Sequence, residues 1–221
     1  MKRSGFEPPP TAAVPSTNLA TARFGRLRWA ALAFVLIWLP SYWAVWGWRN
    51  FLQLCDVTVF LTALGLWRGS ALLLSSQATG SLVINTLWVF DVGARLLFGR
   101  HVVGGTEYMW NSAFPAWVRA LSLFHVLMPG LHLWCLRRTG YDRRALRFEA
   151  VVVAAVFVAA RLLAAPGSNP NFVFIAPLFH RAFGPAPVHV ALVLATQIVV
   201  MMLPVHLALR RWLPPAPRRD S

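Results

Sequence analysis

Ionisable and nucleophilic side chains interrupt several strongly apolar stretches of this 221-residue chain. Cys55 and Asp56 are adjacent, and Asp91 and His125 lie in two later stretches. Burying such groups in hydrocarbon is costly, so each is a candidate functional residue. A carboxylate and an imidazole can exchange protons, and a thiolate is a nucleophile. These residue types therefore indicate either acyl-transfer chemistry or a proton-coupling site.

Each of these residues also has a structural interpretation. Asp91 and Arg95 are spaced i, i+4 with the acid first, which favours an ion pair along one helix. Cys55 can be a small buried residue, and His125 can bond a neighbouring helix. Asp56 is a lone carboxylate that needs a partner. We expect it to interact with His125, the residue that best matches its depth.

The composition is that of an integral membrane protein. Hydrophobic residues make up 57% of the chain, charged residues only 13%, and the mean hydropathy is +0.56. The formal charge of +14 comes from residues that flank apolar stretches, so membrane lipids are the expected partners and nucleic acid is not. Protein partners are left open. Neither cysteine has metal-ligand spacing, and no cofactor or metal is expected.

Six apolar stretches are close to the length needed to cross a bilayer. The sequence therefore predicts an all-α, polytopic bundle of about six transmembrane helices over 27–211. Residues 1–26, rich in Pro, Ser and Thr, are expected to be a disordered cytoplasmic tail, and 212–221 a second tail. The predicted spans are 29–47, 51–67, 71–97, 118–136, 149–165 and 187–209.

Basic residues predict the orientation. With the N-terminus inside, 15 of the 21 Lys and Arg residues face the cytoplasm, so both ends are predicted to lie there. Twenty of the 21 are arginines, a bias typical of a GC-rich bacterial genome and consistent with an inner-membrane location. The cytoplasmic segment 140–146 is expected to be a turn and interfacial anchor, with recognition of phosphate groups as the alternative.

With this orientation the polar residues converge in the outer half of the bilayer. At 1.5 Å per residue, Cys55, Asp56, Asp91 and His125 all lie about 8–12 Å below the outer helix ends. Asn50 and Ser122 share helix faces with Asp56 and His125 respectively. The outer loop 167–187, which contains Asn171, is long enough to fold back over this level, and Glu107 and Tyr108 could help to cover it.

Three parts of the sequence resemble known families. They are the segment around Asn50 and Cys55-Asp56, the Ser122 and His125 pair, and the loop that contains Asn171-Phe172. They resemble uncharacterised bacterial six-helix membrane proteins and, more distantly, the androgen-induced membrane hydrolases and a related phospholipid acyltransferase family. The resemblance implies that Cys55 is the nucleophile and His125 the base. The family members act on lipid acyl esters.

Two functional hypotheses follow. In the first, an intramembrane lipid-acyl hydrolase or acyltransferase uses Cys55 and His125, with Asp56 or Asp91 orienting the imidazole. Asn50, Ser122 and Asn171 would contact the substrate, and groups near Asn171 would stabilise the oxyanion. In the second, a non-enzymatic membrane component, such as a small transporter or a lipid- or protein-binding subunit, uses the buried Asp and His residues.

Overall fold

The computed structural model describes residues 16–217, with side chains from residue 24 onward, and all regular structure in this part of the chain is helical. The predicted all-α class is therefore confirmed. The helices are α1 (Ser16–Trp46), α2 (Leu54–Arg68), α3 (Ala71–Phe98), α4 (Ala116–Leu121), α5 (Phe124–Thr139), α6 (Ala145–Leu163), α7 (Ala186–Thr196) and α8 (Leu203–Trp212).

Four helical segments are long and apolar enough to cross a membrane. They are Phe24–Trp46, Ala71–Phe98, Ala116–Thr139 and Ala186–Trp212. The helix α2 has only 15 residues, and α6 carries Arg147, Glu149 and Arg161 along its 19 residues. The chain is thus a multi-pass membrane protein with at least these four candidate spans. The count of six and the orientation stay predictions.

The N-terminal tail differs from expectation where the structure describes it. Helix α1 begins at Ser16 and bends at Gly25, whose φ is 26°, so residues 16–26 are largely helical. The Leu, Ala and Arg residues of this segment have high helix propensity, which offsets its Ser and Thr content. Residues 1–15 lie outside the described part.

Two of the candidate spans are interrupted. Between α4 and α5 the residues Ser122 and Leu123 leave the helix, and between α7 and α8 the segment Gln197–Met202 is a π-helix. Short 3-10 helices occupy Trp48–Leu52 before α2 and Glu107–Trp110 in the loop after α3. These irregular segments break the strict 3.6-residue periodicity on which the predicted faces depend.

Helix α3 is the centre of the bundle. It packs against α2, α5, α6 and α8, and every residue from Leu74 to Ser81 is buried. Ser75, Ser76, Gln77 and Thr79 lie in this stretch, so polar groups are buried in the bundle beside its apolar core clusters. Many large apolar side chains elsewhere are exposed, as is expected of a surface that faces lipid.

Candidate functional site

The carboxylate of Asp56 is bonded to residues close to it in sequence. Asp56, only 2% exposed, lies in the first turn of α2, where the positive end of the helix dipole favours a carboxylate. Its Oδ2 accepts a hydrogen bond from Asn50 Nδ2 at 2.6 Å. Cys55 Sγ lies 3.9 Å from Oδ1 and donates weakly to it. The structure therefore brings Asn50, Cys55 and Asp56 together.

The imidazole of His125 is held in one orientation. Its ring stacks between Trp88 and Phe124, with centroid distances of 4.6 and 4.1 Å. Nδ1 lies 2.8 Å from the carbonyl oxygen of Ser122, which can only accept, so the neutral ring carries its proton on Nδ1. Nε2 then has a free lone pair. The Ser122 hydroxyl bonds the Tyr42 hydroxyl at 2.5 Å.

Asp56 and His125 do not form the expected hydrogen bond. Among the described residues Asp56 bonds Asn50 and Cys55, whereas His125 bonds the Ser122 carbonyl. The break between α4 and α5 explains this, since the Ser122 carbonyl is displaced from the regular helical pattern and becomes available to the ring. Nor does a hydrogen bond join Cys55 Sγ to His125, so the structure shows no assembled nucleophile–base pair.

Asp91 supports the loop that follows α3. Its Oδ1 accepts from the amides of Val102, Val103 and Gly104 at 2.7, 2.6 and 3.1 Å. Its Oδ2 accepts from the Thr106 hydroxyl and lies 2.9 Å from His101 Nδ1. Both carboxylate oxygens of Asp91 are thus occupied by hydrogen bonds that stabilise this loop.

The predicted ion pair between Asp91 and Arg95 is wrong. The Arg95 guanidinium donates to the Gly99 carbonyl and lies 5.9 Å over the Trp110 ring. Asp91 instead faces loop amides, because the chain folds back directly after α3 and offers several donors at close range. Three backbone N–H groups satisfy a carboxylate better than one partly exposed guanidinium.

The loop 167–187, which joins α6 to α7, does fold back, through Asn171. Its Oδ1 accepts from the Leu54 amide at 2.8 Å, and its Nδ2 donates to the Leu52 carbonyl at 2.6 Å. Asn171 thereby caps the start of α2, two residues before Asp56. Because both ends of its amide bond backbone groups, the structure gives this side chain a positioning role.

A polar column continues from this level toward the other end of the bundle. We use this name for a set of buried polar groups on α3 and on the helices α2, α5 and α6 that pack against it. On α5, His132 Nε2 lies 2.9 Å from Thr62 Oγ1 of α2. The members of the polar column are Thr62, Gln77, Ser81, Asn85, His125, His132 and Glu149.

Four polar atoms of the polar column have no hydrogen-bond partner among the described residues. They are Oε1 of Gln77, Nδ2 and Oδ1 of Asn85, and Nδ1 of His132. Asn85 lies about 21 Å from the start of α3, near the middle of its 28 residues. His125 and His132 are seven residues apart, so they lie about 10 Å apart along α5. The unpartnered groups therefore occupy the interior of the candidate spans.

Glu149 is the carboxylate at the other end of the polar column. Its Oε2 accepts from Gln77 Nε2 at 2.8 Å, and Gln77 also donates to Ser76 Oγ at 3.1 Å. A Cβ at Gly80 would lie 2.3 Å from Glu149 Oε1, so only glycine lets this carboxyl pack against α3. The sequence interpretation missed Glu149. Its signal was a single acidic residue at the start of an apolar stretch.

A second polar network lies at the end of the bundle that the distribution of basic residues predicts to face the cytoplasm. The Tyr141 hydroxyl lies 2.8 Å from Thr79 Oγ1 and 2.6 Å from His206 Nδ1. Thr79 donates its own proton to the Ser75 carbonyl at 2.8 Å, so it accepts from Tyr141. Tyr141 then accepts from His206 Nδ1–H. Neither Tyr141 nor His206 was predicted as a site residue, because they are far apart in sequence.

Comparisons of the chain with known protein families, with curated proteins and with solved structures found no match. Within residues 24–217 no cluster of three or more His, Cys, Asp or Glu side chains could hold a metal ion. The arrangement instead offers protonatable groups at successive depths: Asp56, His125, His132, Glu149 and His206.

Proposed function

We propose that the protein is a non-enzymatic membrane carrier in which the polar column binds and passes protons. One observation carries this proposal: Asn85 and His132 present three buried, unpartnered polar atoms between the carboxylates of Asp56 and Glu149. Unpaired polar atoms at this depth lower stability, and they are retained where a site needs a donor or acceptor for a passing ligand.

The protonatable groups have geometry suited to proton transfer. The Nε2 lone pair of His125 can accept a proton while Nδ1–H stays on the Ser122 carbonyl, and it returns to neutral by releasing that proton from Nε2. His132 can do the same at its unpartnered Nδ1 while Nε2–H donates to Thr62. Each imidazole is neutral again after the proton has been transferred.

Helix irregularities support movement around this column. Gln197 is the first residue of the π-helical segment between α7 and α8, and its Nε2 lies 3.4 Å from the Gly80 carbonyl of α3. Pro129 and Pro204 remove backbone donors within α5 and α8. Such segments concentrate at functional sites in membrane helices, because their backbone bonds can rearrange without unfolding.

Proton flux into vesicles tests the proposal. The purified protein is reconstituted into vesicles of phosphatidylethanolamine and phosphatidylglycerol that contain a pH-sensitive dye, and an external acid step is applied. We expect faster internal acidification than in protein-free vesicles, and Asn85→Leu should abolish the difference. Thr86→Val is the matched control, because Thr86 is adjacent on α3 and exposed, and within residues 24–217 its side chain bonds only the Leu82 carbonyl.

A stability measurement separates this loss from misfolding. Asn85→Leu removes two buried polar atoms that have no hydrogen-bond partner among the described residues, so its melting temperature in detergent should equal or exceed that of the parent protein. A variant that is as stable as the parent but carries no flux supports the carrier. Parent protein without flux, or Asn85→Leu with full flux, would show that the column does not pass protons.

The second candidate is the intramembrane lipid-acyl hydrolase or acyltransferase. The orientation of His125 favours it, because Nε2 is the free acceptor. Cys55 is half-buried, and the helix rise predicts that it lies at a similar depth in the membrane. Cys55 Sγ would attack the acyl carbonyl, His125 Nε2 would take the thiol proton, and the leaving alkoxide would receive it. The thioester would then pass its acyl group to water or another alcohol.

Substitution of the cysteines distinguishes the two candidates. If the protein is an acyl-transferring enzyme, Cys55→Ala and His125→Ala should each abolish turnover of a phospholipid ester, with non-additive losses. Cys135→Ala is the control, since Cys135 is fully buried near the far end of α5. An electrophilic lipid probe should label Cys55 over Cys135. Turnover that survives Cys55→Ala would eliminate this candidate.

A further inference from the structure

A basic groove lies at the predicted cytoplasmic end, apart from the polar column. It has a volume of about 500 Å³ and is formed by the start of α6 and the face of α8 that looks toward it. We define the basic groove by its lining residues, which are Arg143, Arg144, Leu146, Arg147, Leu203, His206, Leu207 and Arg210. Four arginines and one imidazole thus face one concave surface that also has three leucines.

Backbone contacts hold the groove in shape. The Asp142 amide donates to Ser75 Oγ of α3 at 2.9 Å. Tyr141 pairs with the chain after α8: its amide donates to the Pro214 carbonyl at 2.8 Å, and its carbonyl accepts from the Ala216 amide at 3.0 Å. The loop before α6 and the end of α8 are therefore tied together, which fixes their arginines relative to one another.

The floor of the groove carries a buried imidazole. His206 is 7% exposed, and its Nδ1 is bonded to the Tyr141 hydroxyl. Since Tyr141 donates its proton to Thr79, the Nδ1–H of His206 points away from the groove. Nε2 then carries the lone pair in the neutral ring, and it becomes a hydrogen-bond donor when the ring binds a second proton beside an anion.

The positive charge of the groove is mostly uncompensated. Arg144 donates through Nε and Nη2 to the two oxygens of Asp142, at 3.1 and 2.8 Å, and this pairing lowers the pKa of the Asp142 carboxyl. Arg143, Arg147 and Arg210 have no acidic partner among the described residues. Three unpaired guanidinium groups around one cavity leave a strong preference for an anion.

We propose that the basic groove binds a phosphate group. Guanidinium forks match phosphate oxygens in geometry and charge, and the volume is in the range of small-molecule sites. Leu203 and Leu207 extend the wall along α8 with apolar surface, which suits the glycerol and first acyl carbons of an anionic phospholipid. A soluble phosphate compound shares the headgroup chemistry, and the experiment separates the two sources.

Lipid retention by the purified full-length protein tests the site. Native mass spectrometry in detergent measures bound phosphatidylglycerol and, as the zwitterionic comparison, phosphatidylcholine. The groove variant combines Arg143→Gln, Arg147→Gln and Arg210→Gln. The matched control combines Arg68→Gln, Arg138→Gln and Arg211→Gln, which removes the same charge from exposed residues of the same end outside the groove.

We expect the groove variant to lose about tenfold more phosphatidylglycerol affinity than the control, because convergent guanidinium groups outweigh diffuse attraction. Melting curves of all three proteins check folding. Inorganic phosphate provides the second arm: stabilisation of the parent protein by phosphate at millimolar concentration, lost only in the groove variant, assigns the site to a soluble phosphate compound. Equal losses in both variants, or no preference for phosphatidylglycerol and no phosphate effect, would overturn the proposal.

Discussion

Asp91 illustrates how a polar residue in an apolar stretch can serve structure alone. Its carboxylate accepts hydrogen bonds from three consecutive loop amides and from the Thr106 hydroxyl, and it pairs with His101. Each oxygen has at least two partners, so little capacity remains for a substrate or for orienting an imidazole. At this residue the hydrogen-bond geometry argues against the catalytic role that its depth suggested.

Substitution of Asp91 should therefore act on stability. Asp91→Asn removes charge-assisted bonds and replaces the acceptor Oδ2 by an N–H₂ group opposite Thr106 and His101, which should cost about 2–4 kcal/mol. Thermal unfolding in detergent measures this cost. Glu107→Gln is the control, because Glu107 is exposed and accepts from the Gly105 amide alone among the described residues. Equal small effects of both changes would contradict the structural role.

The pairing of Asp56 gives a second prediction at this scale. Because Asp56 bonds Asn50 at 2.6 Å, Asn50→Ala and Asp56→Ala should be non-additive, with a coupling energy of about 1–2 kcal/mol. Asp56→Ala and His125→Ala should be additive, since no hydrogen bond joins the two residues. Unfolding free energies from both double-mutant cycles provide the measurement. Coupling of Asp56 to His125 that exceeds its coupling to Asn50 would contradict the geometry described.

At the scale of elements, short breaks between helices decide where side chains point. The Ser122–Leu123 break turns His125 toward a backbone carbonyl, and the 3-10 helix Trp48–Leu52 brings Asn50 onto Asp56. The π-helical segment Gln197–Met202 places Gln197 against α3. The polar contacts of the candidate site thus depend on segments that depart from regular helical periodicity.

The junction between the loop 140–144 and the chain after α8 is a critical contact between elements. Gly140 has φ 74°, and a Cβ there would lie 2.7 Å from the Pro215 carbonyl oxygen. Gly140→Ala should therefore destabilise the protein by about 2 kcal/mol or more, through backbone strain and displacement of the C-terminal segment.

Gly130 is a matched control for this prediction. It lies in α5, it is exposed, and a Cβ at this position would meet nothing within 4 Å. Gly130→Ala should be neutral or stabilise the protein by up to about 1 kcal/mol, as alanine favours helix. Melting curves of the two variants give the comparison. A stable Gly140→Ala protein would mean that the C-terminal segment is not held against the loop.

At the scale of the whole molecule, exposed apolar residues surround an interior that buries both apolar clusters and polar groups, and arginines lie together at one end. Arg137, Arg138, Arg143 and Arg144 lie between α5 and α6 or at their ends, and Arg143 and Arg144 line the same groove as Arg210 of α8. The basic end of the bundle is therefore a structural feature, and the rule that basic loops stay inside predicts that it faces the cytoplasm.

Labelling of single cysteines tests the topology. In a background with Cys55→Ala and Cys135→Ala, Arg138→Cys reports the basic end and Ser112→Cys reports the loop between α3 and α4; both positions are exposed. An impermeant maleimide added to intact cells should label Ser112→Cys alone, and lysis should expose Arg138→Cys. Labelling of Arg138→Cys from outside would reverse the orientation and the depths inferred from it.

The amino-acid sequence by itself determined the class of the protein and the approximate positions of its helices. Apolar stretches of suitable length have to form helices in lipid, because each helix satisfies its own backbone groups. The predicted span over 71–97 differs from α3 by a single residue at its end. The sequence also singled out Asn50, Asp56, Ser122, His125 and Asn171, all of which make specific polar contacts.

Only the tertiary structure decided which of these residues meet. Depth and helical periodicity place a side chain at a height and on a face, but they leave open how neighbouring helices are rotated and where a helix breaks. For this reason Asp56 was assigned to His125 instead of Asn50, and Asp91 to Arg95 instead of the loop amides. Glu149, Tyr141 and His206 acquire their partners from helices distant in sequence, so packing alone brings them into polar networks.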